Sequence, residues 1–451
     1  MASTASSGMA PNLPVVPTRA EHRWIEPWYA AYAILGALTS GAAGILIPVA
    51  VMANGGSAME IGTAIAALNI GALFAPFWGW ISDRSRAYRS VFFGGFLLVA
   101  LGFLAFAFIK GPGVWLAGSF LIGFGTGASN TVASLFIVEF TPAAEWGRRI
   151  GWLQTFNAIG CVVGVLGAGF LRPQIGMLAS AFLVVPALII GGIGLPLRGH
   201  PCYRLNLEVE RAQLARLVRR VEPLTSSVVS HLSRFHLQDL KTLRAACTTG
   251  FGVFLASWFL FSLGVSAFYS LYPVLMLKSF GMAVAKSSLL MSAATALSIP
   301  LYKIAGSLVT RRGPALVLST GIAVRMIALA GIGFLGFFRL PFSPVLAVVV
   351  LYGALQGVWP LLSVASNEMS AALAPFSEGL AMGLFNAATA IASASGAIVG
   401  GVTADKFGYP TASLLAAAVI AIAFVLVLRL RQSSQTAPLP DEYAIDPVTV
   451  V

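Results

Sequence analysis

The chain consists largely of apolar stretches that are each long enough to cross the hydrocarbon core of a membrane. A spanning helix needs about 20 mostly apolar residues, and its backbone must satisfy its own hydrogen bonds because lipid offers none. Of the 451 residues, 58% are hydrophobic and 10% are charged, whereas about a quarter are charged in soluble domains. We therefore predict an all-α membrane protein with about 12 transmembrane helices in two pseudo-symmetric six-helix bundles.

The predicted spans fall into two groups of six. The first group covers residues 28–52, 61–82, 90–109, 114–138, 150–171 and 177–197. The second group covers residues 247–275, 287–309, 314–338, 345–366, 379–402 and 412–430. The predicted segments are a disordered cytoplasmic tail (1–27), an N-terminal bundle (28–197), a cytoplasmic central loop (198–243), a C-terminal bundle (244–430) and a second cytoplasmic tail (431–451).

Basic residues indicate the orientation of the bundles. With both termini in the cytoplasm, most of the 28 Lys and Arg lie on the cytoplasmic side, as the positive-inside rule requires. The short loops agree, since Arg84, Arg86 and Arg89 lie on that side whereas Lys110 stands alone in an outer loop. We expect a multi-pass protein of the plasma (inner) membrane.

The central loop contains two amphipathic stretches separated by Pro223. In the first, Leu214 and Val218 recur at helical spacing opposite Arg216 and Arg220, a pattern typical of a helix that lies on anionic membrane lipid. A solvated linker between the bundles explains the pattern equally well. The net charge of +12 is therefore assigned to a membrane surface, and no nucleic-acid partner is expected.

An internal repeat relates the two halves. The glycines of the fifth span have the same spacing as those of the eleventh, in the sets Gly147, Gly151, Gly164, Gly169 and Gly379, Gly383, Gly396, Gly401. Small residues let transmembrane helices approach closely, and two parallel halves are typical of secondary transporters that rock between two states. Coincidence among 47 glycines is the alternative.

The segment after the second span carries a motif. Residues 79–89 read Gly-Trp-Ile-Ser-Asp-Arg-Ser-Arg-Ala-Tyr-Arg, which resembles the G-x3-D-R-x-G-R-R signature of the major facilitator superfamily. Residues 306–313 are a weaker echo, with Thr310 in place of the acid. The resemblance covers nearly the whole chain by topology, and it implies the twelve-helix fold of that family's secondary transporters.

The same resemblance implies a gate at the cytoplasmic ends of the helices. A carboxylate and arginines at these ends bridge the halves and cap helix termini in one of two states. The predicted gating residues are Gly79, Asp83, Arg84, Arg86, Arg89, Glu139, Arg148, Arg149, Arg311 and Arg312. Charges that only set the membrane topology are the alternative.

Features of proton-coupled drug-efflux members are incomplete. Gly151, Gly160 and Gly164 follow the glycine spacing of their antiporter signature, but Val165 replaces its proline and Ser119 replaces an arginine of the fourth span. None of the 16 Asp and Glu residues lies in the middle of a predicted span, although a proton relay usually needs a titratable group there. Proton coupling is therefore not evident.

Two cations fall inside predicted spans. Lys303 is near enough to the cytoplasmic end of the eighth span to reach the interface, and the alternative is that it binds an anionic substrate. Arg325 lies nearer the middle of the ninth span, which the resemblance places at the periphery of the fold. It is interpreted as paired with carbonyls or hydroxyls, with substrate contact as the alternative.

Polar and aromatic residues at helical spacing in the seventh and tenth spans predict a solute pocket. The predicted substrate-binding residues are Asn69, Asn130, Gln154, Asn157, Trp258, Tyr269, Tyr272, Lys303, Gln356, Trp359 and Asn386. Pro273 and Pro360 are expected to bend their helices where a cavity opens. For any single residue, an interhelical hydrogen bond without a ligand is the alternative.

The sequence thus predicts a monomeric secondary transporter that moves an uncharged, aromatic or anionic organic solute by alternating access, with efflux as one option. It is not expected to be an enzyme or to need a cofactor, because it has neither a metal-ligand cluster nor a Walker-type phosphate loop. A membrane assembly or scaffold protein on a transporter fold is the competing hypothesis, and a lipid flippase is a third.

Overall fold

The computed structural model describes residues 25–85, 87–141, 146–195, 249–338, 344–373 and 378–436. Every regular element in these ranges is helical. The predicted central loop and most of both predicted tails lie outside the described residues. The last helix continues to Thr436, inside the segment predicted as a tail.

The N-terminal half contains six spans, three of which are interrupted. They are α1 (Tyr29–Ala53), α2 (Ala58–Ala72 and Ala75–Ser85), α3 (Tyr88–Phe108), α4 (Pro112–Phe140), α5 (Trp146–Phe170) and α6 (Pro173–Phe182 and Val184–Gly194). Within α1, residues Ala37–Ala42 form a π-helical turn between two α-helical parts, Tyr29–Gly36 and Ala43–Ala53. A π-helical turn inserts an extra residue and re-aims the side chains around it.

The C-terminal half also contains six spans. They are α7 (Gly250–Tyr269, continued by Tyr272–Phe280), α8 (Val284–Ser298 and Leu301–Arg312), α9 (Pro314–Phe337), α10 (Val345–Gly357 and Trp359–Ala372), α11 (Glu378–Phe407) and α12 (Tyr409–Thr436). Among the described residues, eleven helices are long and apolar enough to cross a membrane. The exception is α8, which is divided before Pro300 and whose second part carries three cations. The predicted twelve-helix architecture is confirmed.

Local sequence signals explain several helix ends. Ser57 and Glu60 form a reciprocal capping box at the start of α2, in which the Ser57 hydroxyl accepts from the Glu60 N–H and the Glu60 carboxylate from the Ser57 N–H. Gly313 joins α8 to α9 with a positive φ of 79°, which glycine adopts without strain. Pro314 then opens α9, where its missing N–H costs nothing.

The repeated glycines occupy equivalent positions in the two halves. A Cβ atom on Gly164 of α5 would overlap the Ala37 carbonyl of α1, and one on Gly396 of α11 would overlap the Leu263 carbonyl of α7. Each glycine therefore lets its helix pack directly against the backbone of the first helix of its own half. The shared spacing reflects shared packing.

Contacts between the halves lie toward the ends of the helices that are predicted to face outside, here called the outer ends. On α11, a Cβ on Gly401 would lie 2.6 Å from the Ala58 carbonyl of α2 and 3.1 Å from the Gly62 Cα atom. On the other side of the molecule, the Ser292 hydroxyl of α8 donates to the Val162 carbonyl of α5 at 3.2 Å. The two halves are thus joined at their outer ends.

Glycines toward the predicted cytoplasmic ends have different surroundings. At Gly151 of α5, Gly306 of α8 and Gly383 of α11, an added Cβ would meet no atom of the described residues within 4 Å. Within the described part of the chain, the helices that touch at their outer ends are therefore not packed around these three positions.

Candidate functional site

A cavity of about 360 Å³ lies between the two halves. Helices of both halves line it, with α7 contributing most. The lining residues are Thr39, Ser40, Gly44, Ile65, Leu68, Asn69, Trp258, Phe261, Ser262, Val265, Ser266, Tyr269, Ser270, Tyr272, Met291, Trp359, Thr389 and Ser393. Its size and mixture of aromatic and hydroxyl groups fit a small-molecule site.

The large side chains of the cavity are held in place by hydrogen bonds. The Trp258 indole N–H donates to the Thr389 hydroxyl at 2.9 Å. The Tyr269 hydroxyl donates to Gln356 Oε1 at 2.8 Å, and Gln356 Nε2 donates to the Thr295 hydroxyl at 3.2 Å. These bonds connect α7 to α8, α10 and α11, so the aromatic rings are fixed before a solute arrives.

Three other hydroxyls of the cavity, those of Ser40, Ser262 and Ser393, form no hydrogen bond to any part of the chain that the structure describes. In contrast, Ser266 donates to the Ser393 carbonyl at 2.6 Å. Ser40 on α1 and Ser262 on α7 are therefore free to donate to a solute from opposite halves.

The helix breaks lie beside the cavity, as predicted. The break in α7 comes just before Tyr272 and Pro273, and the break in α10 just before Trp359 and Pro360. Proline cannot donate to the preceding turn, so each break leaves the chain free to change direction. Tyr272 and Trp359 at these breaks both line the cavity.

The structure brings only some of the predicted substrate-binding residues together. Those that line the cavity are Asn69, Trp258, Tyr269, Tyr272 and Trp359. Gln356 lies behind Tyr269 and supports it, and Asn157 packs against Gly36 of α1. Three further predicted residues do not line the cavity: Asn130, Gln154 and Asn386. The side chain of Lys303 lies outside the described residues, so its role stays a prediction.

The lining residues that were not predicted from the sequence include four with hydroxyl side chains: Thr39, Ser40, Thr389 and Ser393. Thr39 and Ser40 belong to the π-helical turn of α1. A regular 3.6-residue period assigns their faces incorrectly, because the π-helical turn shifts the register. Thr389 and Ser393 are four residues apart on α11, a spacing that the sequence shows but that small hydroxyl residues share with ordinary packing sites.

Arg325 is buried beside this cavity, in the middle of α9. It is only 2% exposed, and its Nε has no hydrogen-bond partner among the described residues. Its guanidinium carbon lies 5.0 Å from the ring centre of Trp359, 5.7 Å from that of Phe261 and 6.0 Å from that of Tyr269. All three rings, here called the aromatic wall, line the cavity. The charge therefore lies directly behind the cavity surface.

The predicted gate is only partly within the described side chains. Arg149 forms an ion pair with Glu26 at 2.6 Å, and Arg89 donates to the Gly192 carbonyl at 2.9 Å. Both contacts stay within the N-terminal half. Arg311 and Arg312 are exposed at the end of α8, and Gly79 faces Thr131 of α4. The side chains outside the described set are those of Asp83, Arg84, Arg86, Glu139 and Arg148. A gate between the halves stays a prediction.

Comparison with known proteins places this architecture in a family. Residues 29–360 and 254–447 match the model of the Major Facilitator Superfamily. A niacin transporter of Acinetobacter baylyi is 34% identical over 121 residues, which is 26% of this chain and 27% of the relative. An L-fucose-proton symporter of Escherichia coli is 28% identical over 110 residues, or 24% of this chain and 25% of the relative. The matched segments thus span about a quarter of each relative.

Solved structures agree in fold. A nucleoside transporter (D323A mutant) superimposes with a TM-score of 0.68 at 12% identity, covering 90% of this chain and 98% of that one. A D-xylose-proton symporter gives a TM-score of 0.64 at 13% identity, covering 89% and 97%. At these identities the likeness concerns the fold alone. With the family model matching most of its length, the chain belongs to the Major Facilitator Superfamily.

Proposed function

We propose that this protein is a secondary transporter that moves a small organic solute across the membrane by alternating access. The observation that carries the proposal is the cavity, which is lined by α1 and α2 of one half and by α7, α8, α10 and α11 of the other. A solute bound there contacts both halves at once. Its binding therefore favours particular arrangements of the halves, which is what couples binding to a rocking step.

Packing between the halves supports this mechanism. The glycine contacts of α2 with α11 close one side of the molecule, whereas no described atom lies within 4 Å of a Cβ added to the glycines at the opposite ends of α5, α8 and α11. This asymmetry is that of one state of a two-state transporter. With both termini in the cytoplasm, the closed side is the extracellular one. We further propose a monomer in the plasma (inner) membrane.

Transport is tested in liposomes with a crosslink that fixes the closed side. In a background where the three native cysteines are replaced by serine, Val162→Cys and Ser292→Cys are combined and joined by a short bifunctional thiol reagent, because the Ser292 hydroxyl lies 3.2 Å from the Val162 carbonyl oxygen across the two halves. Counterflow of radiolabelled fucose, xylose, adenosine, nicotinate and nicotinamide is measured before and after thiol crosslinking. Crosslinking is expected to stop transport, and each single-cysteine protein serves as the control.

A different result favours the scaffold alternative. If none of these solutes moves through the uncrosslinked protein, and crosslinking has no effect on its cellular phenotype, then transport is the wrong class of function. Efflux is the finer proposal, supported by the glycine spacing shared with the antiporter signature at Gly151, Gly160 and Gly164. It predicts faster uptake into everted than into right-side-out vesicles.

A further inference from the structure

Arg325 is a fully buried cation, and no carboxylate among the described residues compensates its charge. It forms no ion pair within the described residues, and the described carboxylates, Glu26, Glu60, Glu368 and Asp405, lie near helix ends. A charge inside a membrane protein is costly unless something of opposite sign, or a set of dipoles, compensates it. The cost of burying Arg325 therefore indicates that another group of opposite charge, or a set of dipoles, compensates it.

The aromatic wall compensates Arg325 only in part. Three ring faces within 5.0–6.0 Å of the guanidinium attract the cation through their quadrupoles. The buried Nε–H nevertheless has no acceptor, and an unpaired buried donor is unfavourable. The wall therefore leaves a net positive field, and the nearest space that it reaches is the cavity on the other side of the rings.

The charge of Arg325, buried in the middle of α9, can act on a solute in the cavity without touching it. In surroundings of low dielectric constant, a unit charge behind one layer of rings influences a solute in the cavity much more than the same charge does in water. Arg325 is not among the residues that line the cavity. Its role is therefore that of a positioning residue, which selects the charge of the solute through the wall.

We propose that the transported solute is an organic carboxylate with an aromatic or compact apolar body. The proposal rests on the proposed transport function and names the substrate class of the same cavity. Its negative charge is stabilised by the field of Arg325 and by the free hydroxyls of Ser40 and Ser262. Its apolar body lies against Trp258 and the aromatic wall. A cavity of about 360 Å³ lies at the small end of the roughly 300–1,000 Å³ range of ligand pockets, which suits one or two rings.

The test compares carboxylates with their neutral amides, which have nearly the same shape. Thermal unfolding of the purified protein in detergent is followed with sodium benzoate, phenylacetate and 1-naphthoate, and with benzamide, phenylacetamide and 1-naphthamide. All samples are held at equal ionic strength with sodium chloride. At least one carboxylate is expected to raise the Tm by about 3 °C, whereas its amide changes the Tm by less than about 1 °C.

Variants assign the preference to Arg325. Arg325→Met removes the charge and keeps most of the length, and it is expected to weaken carboxylate binding about tenfold or more without affecting amides. Lys278→Met is the matched control, since Lys278 is an exposed cation at the end of the α7 extension in the same half, and it is expected to keep the preference. If Arg325→Met does not fold, Arg325→Gln takes its place, and the comparison of acids with amides in the wild-type protein still tests the preference for carboxylates.

Several results would overturn the proposal. It is wrong if no carboxylate of the panel stabilises the protein, if amides stabilise it equally, if chloride alone has the same effect, or if Arg325→Met keeps the preference. These failures differ from failure of the proposed function. Transport of fucose, xylose, adenosine or nicotinamide in the liposome assay would leave the transporter assignment intact while the carboxylate assignment fails.

Discussion

Replacing Gly401 by alanine is expected to weaken the contact that closes the outer ends of the two halves. The added methyl group would lie 2.6 Å from the Ala58 carbonyl oxygen and 3.1 Å from the Cα atoms of Met59 and Gly62. These are backbone atoms of α2, so no side-chain rotation relieves the overlap. The contact joins helices of different halves, and the helices can therefore separate instead of deforming.

The magnitude follows from the cost of overpacking. Forcing a methyl group into a packed contact costs about 1–3 kcal/mol. If this cost is paid only in the closed state, the ratio of closed to open molecules falls roughly 5- to 160-fold. A closed state that is populated at about 99% before the substitution would then lose between a few per cent and more than half of its population.

Spin labels on the outer ends report this change. Labels at Lys110 in the N-terminal half and Lys278 in the C-terminal half are both on exposed side chains, and their distance distribution is measured in nanodiscs. Gly401→Ala is expected to add a longer distance. Gly383→Ala is the matched control on the same helix, because an added Cβ there meets no described atom within 4 Å. Identical distributions for both variants would refute the role given to the α2–α11 contact.

Two further predictions concern stability within the N-terminal half. Gly164→Ala is expected to lower the Tm of the purified protein, at a cost of about 1–3 kcal/mol, because its methyl group overlaps the backbone of α1 at Ala37. Gly167→Ala, on an open face of the same helix, should leave the Tm unchanged. An equal fall in Tm in both variants would contradict the packing argument. Glu26→Gln removes the charge that pairs with Arg149, whose side chain is 11% exposed against 30% for Glu26. We expect a loss of about 1 kcal/mol, discounted for the exposure of the carboxylate, and a Tm that becomes less sensitive to salt; an unchanged Tm in low salt would show that the ion pair contributes nothing.

The sequence predicted the spans well because a membrane imposes a length and a composition on each one. Predicted span 61–82 corresponds to α2, which runs from Ala58 to Ser85 with one interruption, and span 177–197 to α6 within a few residues. The repeat was also visible, since close helix contacts require glycine at fixed intervals. Trp258 and Tyr269 were predicted to share one face of α7, and both line the cavity because that part of the helix is regular.

Other parts of the site depend on contacts between distant segments. Thr39 and Ser40 reach the cavity through a π-helical turn, which shows no periodic signal in the sequence. Asn130 and Asn386 are asparagines inside apolar predicted spans, as Asn69 is. Of the three, only Asn69 lines the cavity. Whether a polar residue faces a cavity or a neighbouring helix is decided by the rotation of each helix, and packing against its neighbours sets that rotation.

Arg325 is the residue for which the information in the sequence and that in the folded structure differ most. By itself the sequence determined that the chain spans the membrane about twelve times, that its halves are related, and that a cation lies in the ninth span without an acid in any span to match it. Only the tertiary structure decided that this cation is next to the cavity, because the three rings around it come from α7 and α10, between 34 and 64 residues away along the chain. Hydropathy is a property of each segment alone, whereas the electric field at a binding site is a sum over residues that meet only when the helices pack.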